Sequence, residues 1–175
     1  MNLIDAVNNN DLQQIKCLAE NGADIHCEND YALRSAAYLG HLDIVKYLIE
    51  HGANIHVQDE LPLRFAACNN YFDMVKYLVE HNANIHVLDD YPLHWTTKNG
   101  YFDITKYLIE HGANIYAEND KALKWAAEFG HFDIAKYLIS CYKESELKKL
   151  FSKTDSFYVK FLILERLYNE SHRCS

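Results

Sequence analysis

The run Leu42-Asp43-Ile44-Val45-Lys46-Tyr47-Leu48-Ile49-Glu50-His51-Gly52 returns as Phe72 to Asn82, again as Phe102 to Gly112, and in part from Phe132 to Ile139. A weaker copy runs from Leu12 to Gly22, and every shift is 30 residues with no insertion. Such a chain is built of like units, none of which buries its apolar face alone. Each copy holds two short helical segments. The first is anchored by Leu33, Ala36 and Ala37, with equivalents Leu63, Ala66, Ala67 and Leu123, Ala126, Ala127. The second carries the stripe Ile44, Val45, Leu48, Ile49. A helix of about nine residues is unstable in isolation, so its stripe must be covered by the next copy, and the small Ala pairs let neighbouring helices approach closely.

Helix ends are marked by the same period. Gly40, Gly100 and Gly130 close the first helix; Gly22, Gly52 and Gly112 close the second. Asn10, Asn70 and Asn82 stand in where glycine is absent, as residues that tolerate the left-handed C-cap conformation. Pro62 and Pro92 share one phase at the start of the first helix, where a missing N–H is harmless.

Three recurring motifs carry a family resemblance. Leu61-Pro62-Leu63-Arg64 and Tyr91-Pro92-Leu93-His94 resemble the Thr-Pro-Leu-His turn of ankyrin repeats. Ala36-Ala37-x-x-Gly40-His41 and its copy at 126–131 resemble the end of that family's first helix. Gly-Ala-Asp-Ile at 22–25 and Gly-Ala-Asn-Ile at 52–55 and 112–115 resemble its Gly-Ala-Asp-Val loop. The resemblance covers about residues 1–142. It implies an all-α, ankyrin-type solenoid of stacked helix-turn-helix repeats that works by binding another protein. Two departures stand out. The family period is about 33, and the residues missing here are those of the β-hairpin finger, which should shrink to a tight turn. The capping threonine is replaced by Tyr31, Leu61, Tyr91 and Lys121, and Asp30, Glu60, Asp90 and Asp120, one residue earlier, are expected to cap the first helix instead. Thirty-residue copies of the style Asn29-Asp30-Tyr31-Ala32-Leu33-Arg34 are similar to those of giant DNA viruses of amoebae. That likeness implies a viral protein acting on a host or viral partner in the cytoplasm of an infected cell, with the nucleus as the second site.

The pattern divides the chain into an N-terminal capping repeat (1–29), repeats at 30–59, 60–89 and 90–119, a last repeat (120–142) and a C-terminal helical cap (143–175). Gln14 stands where inner copies have Ile44, Met74, Ile104 and Ile134, which suits an outward-facing end. Periodicity stops after Ile139, where Ser140-Cys141-Tyr142 replaces Glu-His-Gly. Helices are expected around Glu144–Phe151 and Ser156–Asn169, with Leu147, Leu150, Phe157, Phe161, Leu162 and Leu164 sealing the last repeat. The alternative is an adaptor, in which residues 143–175 recruit machinery such as a ubiquitin ligase, although no motif resembles an F-box.

The formal charge of -8 disfavours nucleic acid and anionic membrane surfaces as partners. No segment approaches the roughly 20 apolar residues of a membrane span, and Met1-Asn2-Leu3-Ile4-Asp5 lacks the basic start of a signal peptide. Cys17, Cys27, Cys68, Cys141 and Cys174 show no CxxC spacing and read as reduced thiols of a cytosolic or nuclear protein. Neither enzyme nor cofactor is expected. Every glycine is used at a helix end, leaving no phosphate-binding loop, and no cysteine has a recurring histidine partner. His26, His56 and His86 share one phase and His51, His81 and His111 another. Equivalent positions in stacked repeats lie about 10 Å apart, whereas zinc needs ligands converging at about 2 Å, so loop hydrogen bonding is expected and no metal. Arg34, Arg64, His94 and Lys124 each follow an acid by four residues and are expected to form local ion pairs with it, worth roughly a few tenths of a kcal/mol.

The remaining positions vary between copies. By the family resemblance they fall on the concave face that meets a partner. At the helix start these are Tyr31, Leu61, Tyr91 and Lys121. Along the helix follow Ser35, Phe65, Trp95 and Trp125, then Tyr38, Leu39, Cys68, Asn69, Lys98, Asn99, Glu128 and Phe129. Aromatic residues are common interface anchors; Phe65, Trp95 and Trp125 equally suit packing between repeats. Tyr47, Tyr77, Tyr107 and Tyr137 form a second ladder, read as convex-side packing. One protein partner and a monomeric chain are expected.

Overall fold

Four times the chain passes through three consecutive residues with left-handed backbone: Glu28-Asn29-Asp30, Gln58-Asp59-Glu60, Leu88-Asp89-Asp90 and Glu118-Asn119-Asp120, with φ between 47° and 61°. A non-glycine residue in this region costs about 1–2 kcal/mol, least for Asn and Asp, and the middle residue of each turn is Asn or Asp. Ahead of each turn, the side chain of Asp24, Asn54, Asn84 or Asn114 accepts a bond from the backbone N–H two residues on, at 2.9–3.0 Å. This is the shortened finger, and it leaves no strand among the described residues.

The structure is a computed structural model and describes residues 2–172. Within it lie α1 (Leu3–Asn8), α2 (Leu12–Glu20), α3 (Cys27–Leu39), α4 (Leu42–Glu50), α5 (Val57–Cys68), α6 (Phe72–Glu80), α7 (Val87–Asn99), α8 (Phe102–Glu110), α9 (Ala117–Glu128), α10 (Phe132–Cys141), α11 (Glu144–Lys153) and α12 (Phe157–Ser171). The left-handed turns fall inside the first residues of α3, α5, α7 and α9. The chain divides into two compact units, Met1–Pro92 and Leu93–Ser175. In the first, α1, α3 and α5 stand side by side, and α2, α4 and α6 each fold back on the helix before them. In the second, α10 packs on α8, α9 and α12, and α11 packs on α12.

The core positions expected from the period are fully buried: Leu33, Ala36 and Ala37 with their equivalents Leu63, Ala66 and Ala67, and Ile44, Val45 and Leu48 with Met74, Val75 and Leu78. Burying each large aliphatic side chain contributes about 1.5–3 kcal/mol. Gln14 is half-buried where its equivalents are buried. All six glycines have positive φ, as do Asn10, Asn70 and Asn82.

One copy alters its core chemistry. Thr96 and Thr97 replace the Ala pair and Thr105 replaces Val75 or Ala135, all three fully buried. Thr96 Oγ1 donates to the Leu93 carbonyl at 3.0 Å, Thr97 Oγ1 to that of His94 at 2.8 Å, and Thr105 Oγ1 to Thr96 Oγ1 at 3.0 Å. Thr105→Val leaves Thr96 its carbonyl and is expected to shift stability by less than about 0.5 kcal/mol. Thr96→Val orphans the Thr105 hydroxyl and should cost about 1–2 kcal/mol. Urea midpoints of the two variants check this; equal losses would sink it.

Three expectations need correction. The acids before the first helix do not cap it. With the backbone left-handed at Asp30, its carboxylate turns back: Oδ1 accepts from His26 Nδ1 at 2.9 Å and Oδ2 from the Asn54 N–H at 3.2 Å. Glu60 pairs with His56 at 2.6 Å and Asp90 with His86 at 3.0 Å, and all three acids are buried. Asp120, facing Tyr116 rather than a histidine at this phase, accepts from the Tyr142 hydroxyl at 2.6 Å. Among the described residues, neither Arg34 nor Arg64 forms an ion pair with the acid four residues before it. Arg34 instead donates to the Glu28 and Asn29 carbonyls and to Gln58 Oε1 at 2.9–3.2 Å. Arg64 lies over the Tyr91 ring, and His94 is buried with Nδ1 3.9 Å from Glu118 Oε1. Finally, Leu147, Leu150 and Leu162 are buried as expected, but Phe157, Phe161 and Leu164 are exposed.

Candidate partner-binding surface

In the first unit the variable positions of α3 and α5 converge. Residues four apart share a helix face, so Tyr31 and Ser35 align on α3, and Leu61, Phe65 and Asn69 on α5 and just beyond it. Tyr31, Tyr38, Leu39, Leu61 and Phe65, with Asn8, Arg34 and Ser35, line one groove of about 370 Å³. The Phe65 ring meets that of Tyr38 edge-on at 5.2 Å. Phe65 is half-buried while Tyr38 is 57% exposed. Phe65 thus packs on the neighbouring helix and also lines the groove. Arg34 lies 5.2 Å over the Tyr31 ring. Asn69 is exposed and ties its amide to the Phe65 carbonyl at 2.9 Å. Tyr91 is half-buried under Arg64 and hydrogen-bonds the Cys68 thiol.

In the second unit Trp95, Trp125 and Phe129 surround one lysine. Lys98 Nζ lies 5.2 Å from each Trp ring and 5.4 Å from Phe129, within cation–π range. Lys121 caps the Trp125 ring at 4.6 Å and pairs with Glu118, whose carboxyl it holds below its ordinary range. Both tryptophans are half-buried and Phe129 is 47% exposed. Asn99 and Glu128 flank them in solvent, Asn99 donating to the Trp95 carbonyl at 2.8 Å.

A family model of ankyrin repeats, three copies long, matches residues 3–89 and again 83–149. The chain belongs to the ankyrin-repeat family. No curated protein matches it. Its helix-turn-helix repeats are the ankyrin-type solenoid repeats that the motifs implied, with the finger reduced to the left-handed turn. Ankyrin repeats are general protein-interaction modules and typically scaffolds rather than enzymes.

The histidines of this ankyrin-repeat chain have structural uses. His26, His56 and His86 clamp the buried acids. His51, His81 and His111 donate from Nδ1 to the carbonyls of Tyr47, Tyr77 and Tyr107 at 2.7–2.8 Å and stack on those rings at 3.9–4.0 Å. Among the described residues no group of three or more His, Cys, Asp or Glu converges as a metal would require. Burial pushes the Cys68 thiol up, away from the nucleophilic thiolate; Cys174 lies outside the described residues. No described helix is long and apolar enough to cross a membrane.

Sequence reasoning missed one concavity. A groove of about 630 Å³ opens between α9 and the α11–α12 turn, lined by Leu123, Lys124, Ala127, Glu128, Leu150 and Thr154 among others. One wall is α9 of the last repeat and the other is chain beyond the last periodic residue, which a repeat-based reading could not place.

Proposed function

We propose that this ankyrin-repeat protein binds a partner protein through the variable faces of its first helices. The observation that carries this reading is the groove of about 370 Å³, whose lining includes six of the positions that vary between copies while the scaffold stays constant. An apolar or aromatic side chain of the partner fits in the groove against the Tyr38 and Phe65 rings. Lys98, Lys121 and the rings beneath them offer a second patch on which the partner sets carboxylate or aromatic groups. The likeness of the thirty-residue copies to those of giant DNA viruses supports a viral protein that engages a host or viral protein during infection. The net negative charge supports a protein over nucleic acid.

Affinity capture from lysate of the infected or expressing cell tests the reading. Wild-type chain is compared with Tyr38→Ser and Phe129→Ser, both at exposed positions where stability should hold. Anchor residues contribute about 2 kcal/mol or more, roughly a 30-fold loss of affinity. Retention of the same captured protein by both variants would count against the proposal.

A further inference from the structure

The α12 helix is apolar on two opposite sides. One side, Val159, Leu162 and Ile163, is buried against α10 and α11, and Arg166 on that side donates to the Ile139 carbonyl. The other side carries Phe157, Phe161, Leu164 and Tyr168, which are 85%, 54%, 54% and 64% exposed. A contiguous apolar face left in solvent marks an interaction surface. The outer residues follow one another at intervals of four, three and four, which is the d-a-d-a spacing of a heptad seam, and the buried residues take the b, c and f positions opposite. The seam runs for three turns, roughly 16 Å. Phe132, exposed at the start of α10 and 4.5 Å from the Tyr158 ring, widens it on one side.

We infer that this seam pairs with the same seam of a second copy of the chain, the two α12 helices running parallel about a two-fold axis. Charge selects both the occupant and the direction. Lys160 stands at the g position and Glu165, five residues later, at the e position, the pair that meets across a parallel two-stranded seam. The two-fold axis forms this ion pair twice. An antiparallel pair would instead bring g beside g and e beside e, setting Lys160 against Leu167 and Glu165 against Tyr158. Within its own chain Lys160 lies 5.7 Å over the Phe151 ring and Glu165 acts on Tyr158, and both residues stay partly exposed. Four half-exposed side chains per copy bury roughly 800 Å² in total, below the standard interface, so association should be in the micromolar range and reversible. The proposed dimer departs from the monomeric chain expected from the sequence.

Sedimentation equilibrium of the full chain, from about 1 to 300 µM, tests this. The expected result is a monomer–dimer equilibrium in the tens of micromolar. Phe161→Asp with Leu164→Asp should abolish it, with helicity unchanged because both side chains face solvent. Lys160→Glu alone and Glu165→Lys alone should each weaken association at least fivefold. An equimolar mixture of these two single variants should restore it, because each then meets an opposite charge. Wild type that stays monomeric throughout, a Phe161/Leu164 variant that still dimerises, or a mixture no tighter than its components would each overturn the proposal. So would a monomer whose stripe instead captures a ubiquitin-ligase component, which would hand α12 to the adaptor role.

Discussion

Gly100→Ala should destabilise the fold by about 2–3 kcal/mol, while Gly130→Ala at the same phase should cost about 1 kcal/mol. Both glycines have φ of +77°, so an added Cβ brings the same left-handed strain to each. Their surroundings differ. A Cβ at Gly100 would lie 2.6 Å from His131 Nδ1 and 2.7 Å from Cε1, whereas at Gly130 nothing lies within 4 Å. His131 is not free to swing aside, because its Nε2 donates to the Lys98 carbonyl at 2.8 Å. Moving the ring loses that bond and shifts the backbone under the aromatic cluster. Gly40 repeats the arrangement with the Tyr71 ring, 2.7 Å from a built Cβ. Urea unfolding of the Gly100 and Gly130 variants side by side isolates the contact, and matching losses would show that only backbone strain matters.

Tyr142→Ala should cost about 3–5 kcal/mol, the usual range for emptying a large aromatic site. The side chain is almost wholly buried, its ring edge meets Tyr116 at 5.0 Å, and its hydroxyl donates to Asp120. Tyr142→Phe keeps the ring and loses only the charge-assisted bond, about 1.5–3 kcal/mol. The pair also has a pH signature. Burial, then the bond to Asp120, raise the Tyr142 phenol far above its ordinary 10.0. An acid whose folded pKa is raised keeps its full stabilisation below the unfolded value and loses it as pH climbs beyond. Wild-type stability should therefore fall above about pH 10, and the alkaline limb should be shallower in Tyr142→Phe. Tyr77, Tyr137 and Tyr158, also raised by burial, keep some slope in the variant. Superimposable wild-type and Phe profiles between about pH 8 and 11 would sink this account.

The helices, their left-handed ends and the buried stripes were legible because five copies repeat the same demand, so any one noisy position is outvoted. The use of the turn acids was not. An acid one residue before a helix suits a cap, and only the left-handed backbone from Glu28 to Asp30 aims it backwards. A trace of this was present: His26–Asp30, His56–Glu60 and His86–Asp90 recur together at a spacing of four. The outer face of α12 was misread for a different reason. It occurs once, and its sequence shows two apolar sides without saying which one the repeats cover. In the partner surface, the phases of Trp95, Trp125 and Phe129 were readable, but the lysine threaded among them depends on reach between helices that spacing does not encode.

Replacing the finger with three left-handed residues also removes a mode of recognition. A hairpin offers free backbone N–H and C=O groups, onto which an extended peptide can add as a further strand. The described repeats of this chain present no such rim. Turn amides are taken by Asx side chains and by the carbonyls of His26, His56, His86 and Tyr116. A ligand must then be read by side chains alone, and its affinity should respond to single-residue exchange far more than to changes in loop length.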